Sequence, residues 1–359
     1  MNRFKLAVFG VNVSHGCTIS TAPGGITVDW DESVRLAQRA EAAGIEAFIP
    51  VCRWKGFGGP SDFNARTFET YTWAAGLAQA TSRMTIFATT AVPTIHPVLA
   101  AKQGVTIDHI SGGRFGMNVV AGWNGAEVEM FGVQQLPHAD RYAYADEWMT
   151  FIKRLWTETA PFDVRGAHFN APGCVAEPKP VRTPRPPIMS AGVSPAGRRF
   201  AAKHADMNFI LAPTLEHVRA TVTDVHRIAH DEFSRDVEVW GNCAIFCRRT
   251  RAEAEAFYHD VIHVHGDLVA AGNLLDTFTR ESGSQIDDPA LRESYLRNMM
   301  AGYSGFPVVG TPAEVADFIG SLAECGIAGA TLSWPDYGEG LDQFANDVLP
   351  ILQRRGLRD

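Results

Sequence analysis

Eight times along 359 residues, a short apolar run rich in β-branched or aromatic side chains gives way to a longer segment with helical spacing. The short runs lie at 4–11, 45–51, 84–91, Phe115–Val120, 187–192, 207–212, 237–248 and 328–334. The helical segments follow at 29–44, 65–80, 95–109, 140–156, 195–204, 215–230, 252–271, 311–326 and 340–354. Asp29 or Asp31 can cap the first of these, and Gly44 stops it. Strict alternation of this kind dictates a parallel sheet with right-handed crossovers, and eight units suggest closure into a (β/α)8 TIM barrel. An open doubly wound sheet needs a glycine fingerprint after its first strand. Here that position reads FGVNVSHGC and does not match. The chain is expected to be a single barrel domain, 1–359, with insertions at about 160–187 and 272–310. The first insertion reads as a surface hairpin. The second, with Gly272, Gly283, Gly302 and Gly305 and little periodicity, reads as a mobile lid.

Composition narrows the function. Hydrophobic residues are 46 % and charged residues 20 %, enough for a sizeable core and against disorder. A net charge of −8 without a basic stripe argues against nucleic acid as a partner. No apolar run approaches the roughly 18 residues that span a membrane. The N-terminus runs straight into a strand with no signal-peptide architecture, so a cytoplasmic location is expected. Six scattered cysteines without a CxxC pair fit reduced thiols better than a disulfide framework. The pairs His226/His230 and His259/His263 have a spacing that can hold a metal, but neither has a third ligand, and no metal is expected.

In a barrel of this kind sites form where strands run into their C-terminal loops. Those positions hold Cys52, Arg53 and Trp54 after the second strand, and Thr89 and Thr90 in the third. The fourth offers Asn118 and, after it, Trp123, with Glu127 beyond. Ser190 to Ser194, including Gly192, follow the fifth, and Trp334 ends the eighth. Asn118 is the one strongly polar side chain of its strand and shares a face with Gly116 and Val120. A buried amide without partners costs roughly 1–3 kcal/mol, so it bonds either to neighbouring strands or to something bound at the strand's end. Arg141 and Tyr142 open a helix after Asp140. They are either a helix-surface pair, with Asp140 or Glu147 as the arginine's partner, or a phosphate cradle facing the SAGVS turn. The set is rich in aromatics, amides and hydroxyls and poor in acid/base pairs, which suits a planar heterocycle better than hydrolysis. There is no Walker loop, no GxSxG elbow and no Ser/His/Asp arrangement.

The segment ISGGRFGMNVVAGWN, with HPVLAAKQGVTIDH before it, resembles the luciferase-like flavin monooxygenases. The likeness extends through CRWKGFGG, FATTAV, the pair RY at 141–142 and SAGVSPAG. Within that family it is nearer to the pyrimidine monooxygenases of uracil breakdown than to the dimethylsulfone and alkanesulfonate monooxygenases. The resemblance implies reduced FMN at the C-terminal face, O2 as oxidant, and a separate NAD(P)H-dependent flavin reductase as partner. It implies oxygenation of a small polar substrate, preferably a pyrimidine-like N-heterocycle, through a flavin peroxide. It implies flavin contacts at Cys52, Arg53, Asn118, Glu127, Arg141, Tyr142, Gly192 and Ser194, with Thr89 and Asn118 lining the oxygen pocket. Trp123 and Trp334 are expected as pocket walls on the substrate side, and a homo-oligomer is expected. The chain departs from the pyrimidine pattern in the loop 13–29 and the insertion 272–310, and Cys52 and Arg53 match by position only. The alternatives are a sulfonate or sulfone monooxygenase, a deazaflavin-dependent oxidoreductase, or a flavin-binding protein without chemistry.

Overall fold

A computed structural model describes residues 2–212, 214–282 and 286–359. In chain order the elements are β1 (Lys5–Phe9), α1 (Trp30–Ala42), β2 (Ala47–Ile49), α2 (Thr70–Ala80), β3 (Thr85–Ala91), α3 (Pro97–Ser111), β4 (Phe115–Val120), α4 (Gly125–Met130) and α5 (His138–Thr157). Then come β5 (Phe162–Arg165), β6 (Asn170–Cys174), β7 (Ile188–Ser190), α6 (Pro195–His204), β8 (Met207–Phe209), α7 (Leu215–Phe233), β9 (Glu238–Cys247) and α8 (Arg251–His259). The last group is α9 (Leu268–Ser282), α10 (Pro289–Gly302), β10 (Phe306–Gly310), α11 (Pro312–Glu324), β11 (Gly329–Ser333), α12 (Tyr337–Gln343) and α13 (Leu349–Arg354).

Strands β1, β2, β3, β4, β7, β8, β9 and β11 pair in that order, all parallel, and β11 closes on β1. This is the TIM barrel that the alternation demands. The helix signals act as read: Asp29 accepts from the Glu32 amide at 2.8 Å, and Gly112 ends α3 in the left-handed region (φ 66°). The 160–187 excursion contains an antiparallel hairpin, β5 with β6.

The 272–310 segment differs from the expectation of little periodicity. Residues up to 282 and from 289 to 302 are helical, and Gly272 and Gly302 lie inside α9 and α10; Gly283 lies outside the described residues. Phe306–Gly310 is a strand, β10, parallel to the upper half of β9 (Cys243 to Cys247), while β8 pairs with its lower half (Glu238 to Trp240). One long strand therefore shares one side between two short ones. A five-residue FPVVG run, with a proline and no alternation, carries little signal of this.

Alternation along the strands sorts the barrel interior into layers. Ala7, Ala47, Ile49, Phe87, Met189, Phe209 and Trp240 form one packed cluster. Two glycines make room for its large rings. A Cβ on Gly116 would lie 2.6 Å from the Phe87 ring, and one on Gly329 would lie 2.8 Å from Trp240. Two residues further along the same strands, on the same face, stand Thr89, Asn118, Asn242 and Thr331. Apolar rings thus plug the lower barrel, and a polar layer lies above them toward the strands' C-terminal ends.

Candidate active site

That polar layer forms part of the lining of a cavity of about 270 Å³ at the C-terminal end of the barrel. Its wall is mostly apolar and includes Phe9, Ile49, Val51, Met189 and Phe209. Of the residues singled out from sequence, Cys52, Arg53, Thr89, Asn118, Trp123, Arg141, Tyr142, Gly192 and Ser194 all line it.

Strand register explains its floor. Thr89 on β3 and Asn118 on β4 are direct cross-strand partners. Asn118 Nδ2 donates to Thr89 Oγ1 at 3.1 Å, and Thr89 donates in turn to the Pro50 carbonyl. The chain of bonds fixes the amide's orientation and leaves Asn118 Oδ1 buried without a partner. Of the two expectations for Asn118, the first holds for its nitrogen, which bonds a neighbouring strand, while its oxygen is buried without a partner. Thr331 and Asn242 are likewise cross-strand partners on β11 and β9, but there the hydroxyl donates to Asn242 Oδ1, at 2.9 Å. Thr90, one residue on, faces outward and bonds the Tyr71 hydroxyl at 2.6 Å.

At one end of the cavity lies the start of α6. Ser194 caps it, accepting from the Gly197 amide at 3.1 Å, and Pro195 follows. Gly192 and Gly197 approach so closely that a Cβ on Gly192 would meet the Gly197 backbone at 2.6 Å. The Tyr142 hydroxyl faces Ser194, and burial raises its pKa. Arg141 is buried rather than on a helix surface, and its acidic partner is neither Asp140 nor Glu147. It donates to the Glu281 carbonyl at 2.6 Å and lies 3.6 Å from that carboxylate, while its Nε has no partner. Helix N-terminus, hydroxyls and arginine together form a group of donors of the kind that can hold an anion.

The opposite side is built around Arg53, which is buried. Glu127 does not line the cavity; it sits behind Arg53. Its Oε1 accepts from Arg53 Nη1 (3.1 Å), the Trp54 amide (2.7 Å) and the Lys55 amide (3.1 Å). The carboxylate thus fixes the loop that follows β2. Burial works against the Arg53 charge, but Tyr303 and Glu127 outweigh it and hold its pKa above the ordinary value. Burial, aided by the Glu127 charge, pushes the Cys52 thiol up to about 12, so it stays protonated. The Arg53 guanidinium lies over Phe57 (4.8 Å) and Trp123 (5.1 Å), and Trp123 stacks on Phe278 at 4.1 Å. Trp54 points away, half-exposed against Phe131.

Trp334 does not line the cavity. Its ring is buried against Tyr337 and Phe344 and fills the space above Gly340, where a Cβ would meet it at 2.3 Å. Sequence reasoning placed it at the mouth because it follows β11, but the chain turns it into the core. Conversely, Phe278, Glu281, Tyr303, Asn242 and Thr331 line the cavity and were not singled out. For Asn242 and Thr331 a signal existed: each is a polar residue in an apolar strand, as Asn118 is. Among the described residues no cluster of three or more His, Cys, Asp or Glu side chains could hold a metal, and no helix is long and apolar enough to cross a membrane.

A parallel barrel with an apolar cavity at its C-terminal mouth and polar side chains along its floor is an arrangement in which enzymes of this fold place their active sites. The chain belongs to the luciferase-like monooxygenase family, whose profile matches residues 8–329, and it is a flavin-dependent monooxygenase. It is 33 % identical over 364 residues to the pyrimidine monooxygenase RutA of Bradyrhizobium sp. (strain BTAi1 / ATCC BAA-1182), covering 98 % of each chain. It is 30 % identical to the RutA of Acinetobacter baylyi (strain ATCC 33305 / BD413 / ADP1), covering 98 % of this chain and 95 % of that one. Among solved structures, the long-chain alkane monooxygenase LadA superposes with a TM-score of 0.86 at 22 % identity, covering 100 % of this chain and 93 % of that one. The riboflavin lyase RcaE, solved with modified FMN and riboflavin, gives the same TM-score and identity, covering 99 % and 93 %.

Proposed function

We propose that this chain is the oxygenating component of a two-component system. A separate NAD(P)H-dependent reductase supplies reduced FMN, O2 is the co-substrate, and the product is an oxygenated small molecule, with a pyrimidine-like N-heterocycle as the favoured substrate. The observation that carries the reading is the register pair Thr89–Asn118, which leaves an unpartnered amide oxygen on the floor of a cavity whose far end gathers donors that can hold an anion. The substrate class is supported by the full-length likeness to pyrimidine monooxygenases.

The residues fit the cofactor. Asn118 Oδ1 and Arg141 Nε are buried and unpartnered, and the close contact of Gly192 with Gly197 brings the turn after β7 against the start of α6 beside the Tyr142 hydroxyl. Ser194, Tyr142 and Arg141 would hold the phosphate. Reduced flavin, when bound, supplies the electrons that activate O2. The protein's own part is positioning and exclusion of water. Thr89 spends its proton on Pro50 and one lone pair on Asn118, so Thr89 orients the amide, whose second N–H is left to donate to the reacting groups. Phe57, Trp123 and Phe278 keep water from the substrate side. Residence in the cytoplasm, where reduced nicotinamide is made, and assembly into a homo-oligomer belong to the same proposal.

The test is reconstitution with a general flavin reductase, NADH and FMN, a panel of uracil-like heterocycles and sulfonates, and isotopically labelled O2. Substrate-dependent NADH use and a product carrying one labelled oxygen are expected. Tight binding of a deazaflavin in place of FMN, or FMN binding with no substrate-dependent turnover across the panel, would overturn the reading.

A further inference from the structure

Tyr303 lines the cavity beside Arg53, and neither its position in the chain nor the family likeness points to it. It ends α10 in the left-handed region, with φ 51°, where bulky side chains seldom sit. Strained backbone of this kind points to a residue whose placement matters. Its ring packs on Phe63 at 5.6 Å. Its hydroxyl donates to Asn64 Oδ1. Asn64 is itself fixed: its Nδ2 donates to the Ser14 carbonyl (2.9 Å) and the Gly16 carbonyl (3.0 Å), so its oxygen can only accept. The Tyr303 proton is therefore spent; its oxygen accepts from the Arg53 guanidinium and keeps a second lone pair at the cavity wall. Arg53 is clamped by Glu127 and by two aromatic rings, and its Nε–H has no partner.

The result is a fixed acceptor beside a fixed donor. Glu127 already matches the Arg53 charge, so the pair carries no net charge. An edge that offers an N–H next to a C=O complements it. A sulfonate offers acceptors only and brings an unmatched negative charge.

We propose that Tyr303 is a specificity-determining residue whose oxygen, with the Arg53 guanidinium, reads the N–H and C=O of a neutral lactam and so selects N-heterocyclic amides over sulfonates. The proposal rests on the monooxygenase reading above. The test uses the FMN-loaded protein and calorimetric titration of 2-pyridone, of its lactone isostere 2-pyranone, in which a ring oxygen replaces the N–H, and of methanesulfonate. The wild type is expected to bind the lactam about tenfold tighter than the lactone and to show no saturable binding of the sulfonate. Tyr303→Phe should weaken the lactam about tenfold, leave the lactone unchanged and leave FMN affinity unchanged. Equal affinity of the wild type for lactam and lactone overturns the proposal, as does a variant that weakens both alike. If the variant fails to fold, the ligand pair on the wild type decides alone. Lactam binding without turnover of any heterocycle would sink the function proposed above and leave this subsite standing. Uracil turnover by a Tyr303→Phe variant with unchanged KM would do the reverse.

Discussion

Asn118 and Thr89 divide one task. The threonine has no free proton, because Pro50 takes it, so of the two only the amide can donate to a ligand. Asn118→Leu should therefore abolish oxygenation while the barrel stays folded, with a stability loss under about 1.5 kcal/mol for so small a volume change. Product yield and FMN affinity, measured together, check this; unchanged turnover would remove Asn118 from the mechanism. Arg141 makes a second separable contribution. A charge-assisted arginine–phosphate bond is worth roughly 1.5–3 kcal/mol, so Arg141→Ala should weaken FMN by about 10- to 100-fold. Riboflavin, which lacks the phosphate, should bind the variant as it binds the wild type. Equal weakening of both ligands in anaerobic titrations would mean that Arg141 shapes the site through Glu281 and does not hold the phosphate. These residues were legible because each is a polar side chain at the end of an apolar strand or the start of a helix. Glu281 and Tyr303 were not, since they reach the cavity from helix termini far along the chain, where nothing in the local pattern says which way they point.

Two elements around the mouth are tied to each other by side-chain hydrogen bonds. Asp267, buried before α9, accepts from the Val269 and Ala270 amides and also from the Ser61 amide and hydroxyl. Asn273 on α9 donates to the Phe57 carbonyl at 2.8 Å. Helix α9 and the loop after β2 therefore move, if they move, as one piece carrying Phe57 and Phe278. Limited proteolysis within 272–310 should slow when FMN and a heterocyclic substrate are present, and Asp267→Ala should speed it in their absence. Equal rates with and without ligands would argue against closure. A different clasp joins α5 to α6. His204 Nε2 and Asp146 Oδ1 are 2.8 Å apart, with Lys203 on the same oxygen. Burial depresses His204 to about 4 despite the carboxylate, and the hydrogen bond with His204 holds Asp146 at about 2. Below pH 6.5 the unfolded histidine gains a proton that the folded one refuses until about 4, so acid favours unfolding across that window. The loss continues below 3.8, as the unfolded aspartate protonates first. The melting temperature should fall from pH 6.5 downward, and His204→Gln should flatten the upper part of that fall. A profile identical in the variant would remove His204 from the account.

At the scale of the whole molecule, the eight-fold alternation was sufficient for the barrel, because each strand and helix buries its face only if its neighbours do the same. The short FPVVG strand escaped it, because β10 exists only through its pairing with β9. The layering inside the barrel separates stability from chemistry. Gly116→Ala would push a methyl into the Phe87 ring, and overpacking of this kind costs about 1–3 kcal/mol. Denaturation midpoints should drop while FMN affinity holds; a parallel loss of affinity would mean that floor and mouth are mechanically coupled. The shared side of β9 has its own outcome. The chain leaves β9 at Arg248 and returns through β10, whose Gly310 carbonyl accepts from the Arg248 amide at 3.1 Å, so a detour of some sixty residues closes on the strand it left. Phe278, Glu281 and Tyr303 all ride on that detour, whereas Thr89, Asn118, Arg141, Tyr142 and Ser194 lie before it. The molecule is thus two blueprints spliced at one seam: Tyr142, Gly192 and Ser194 come wholly from the first, whereas the opposite wall, where Arg53 and Trp123 meet Tyr303 and Phe278, is written by both.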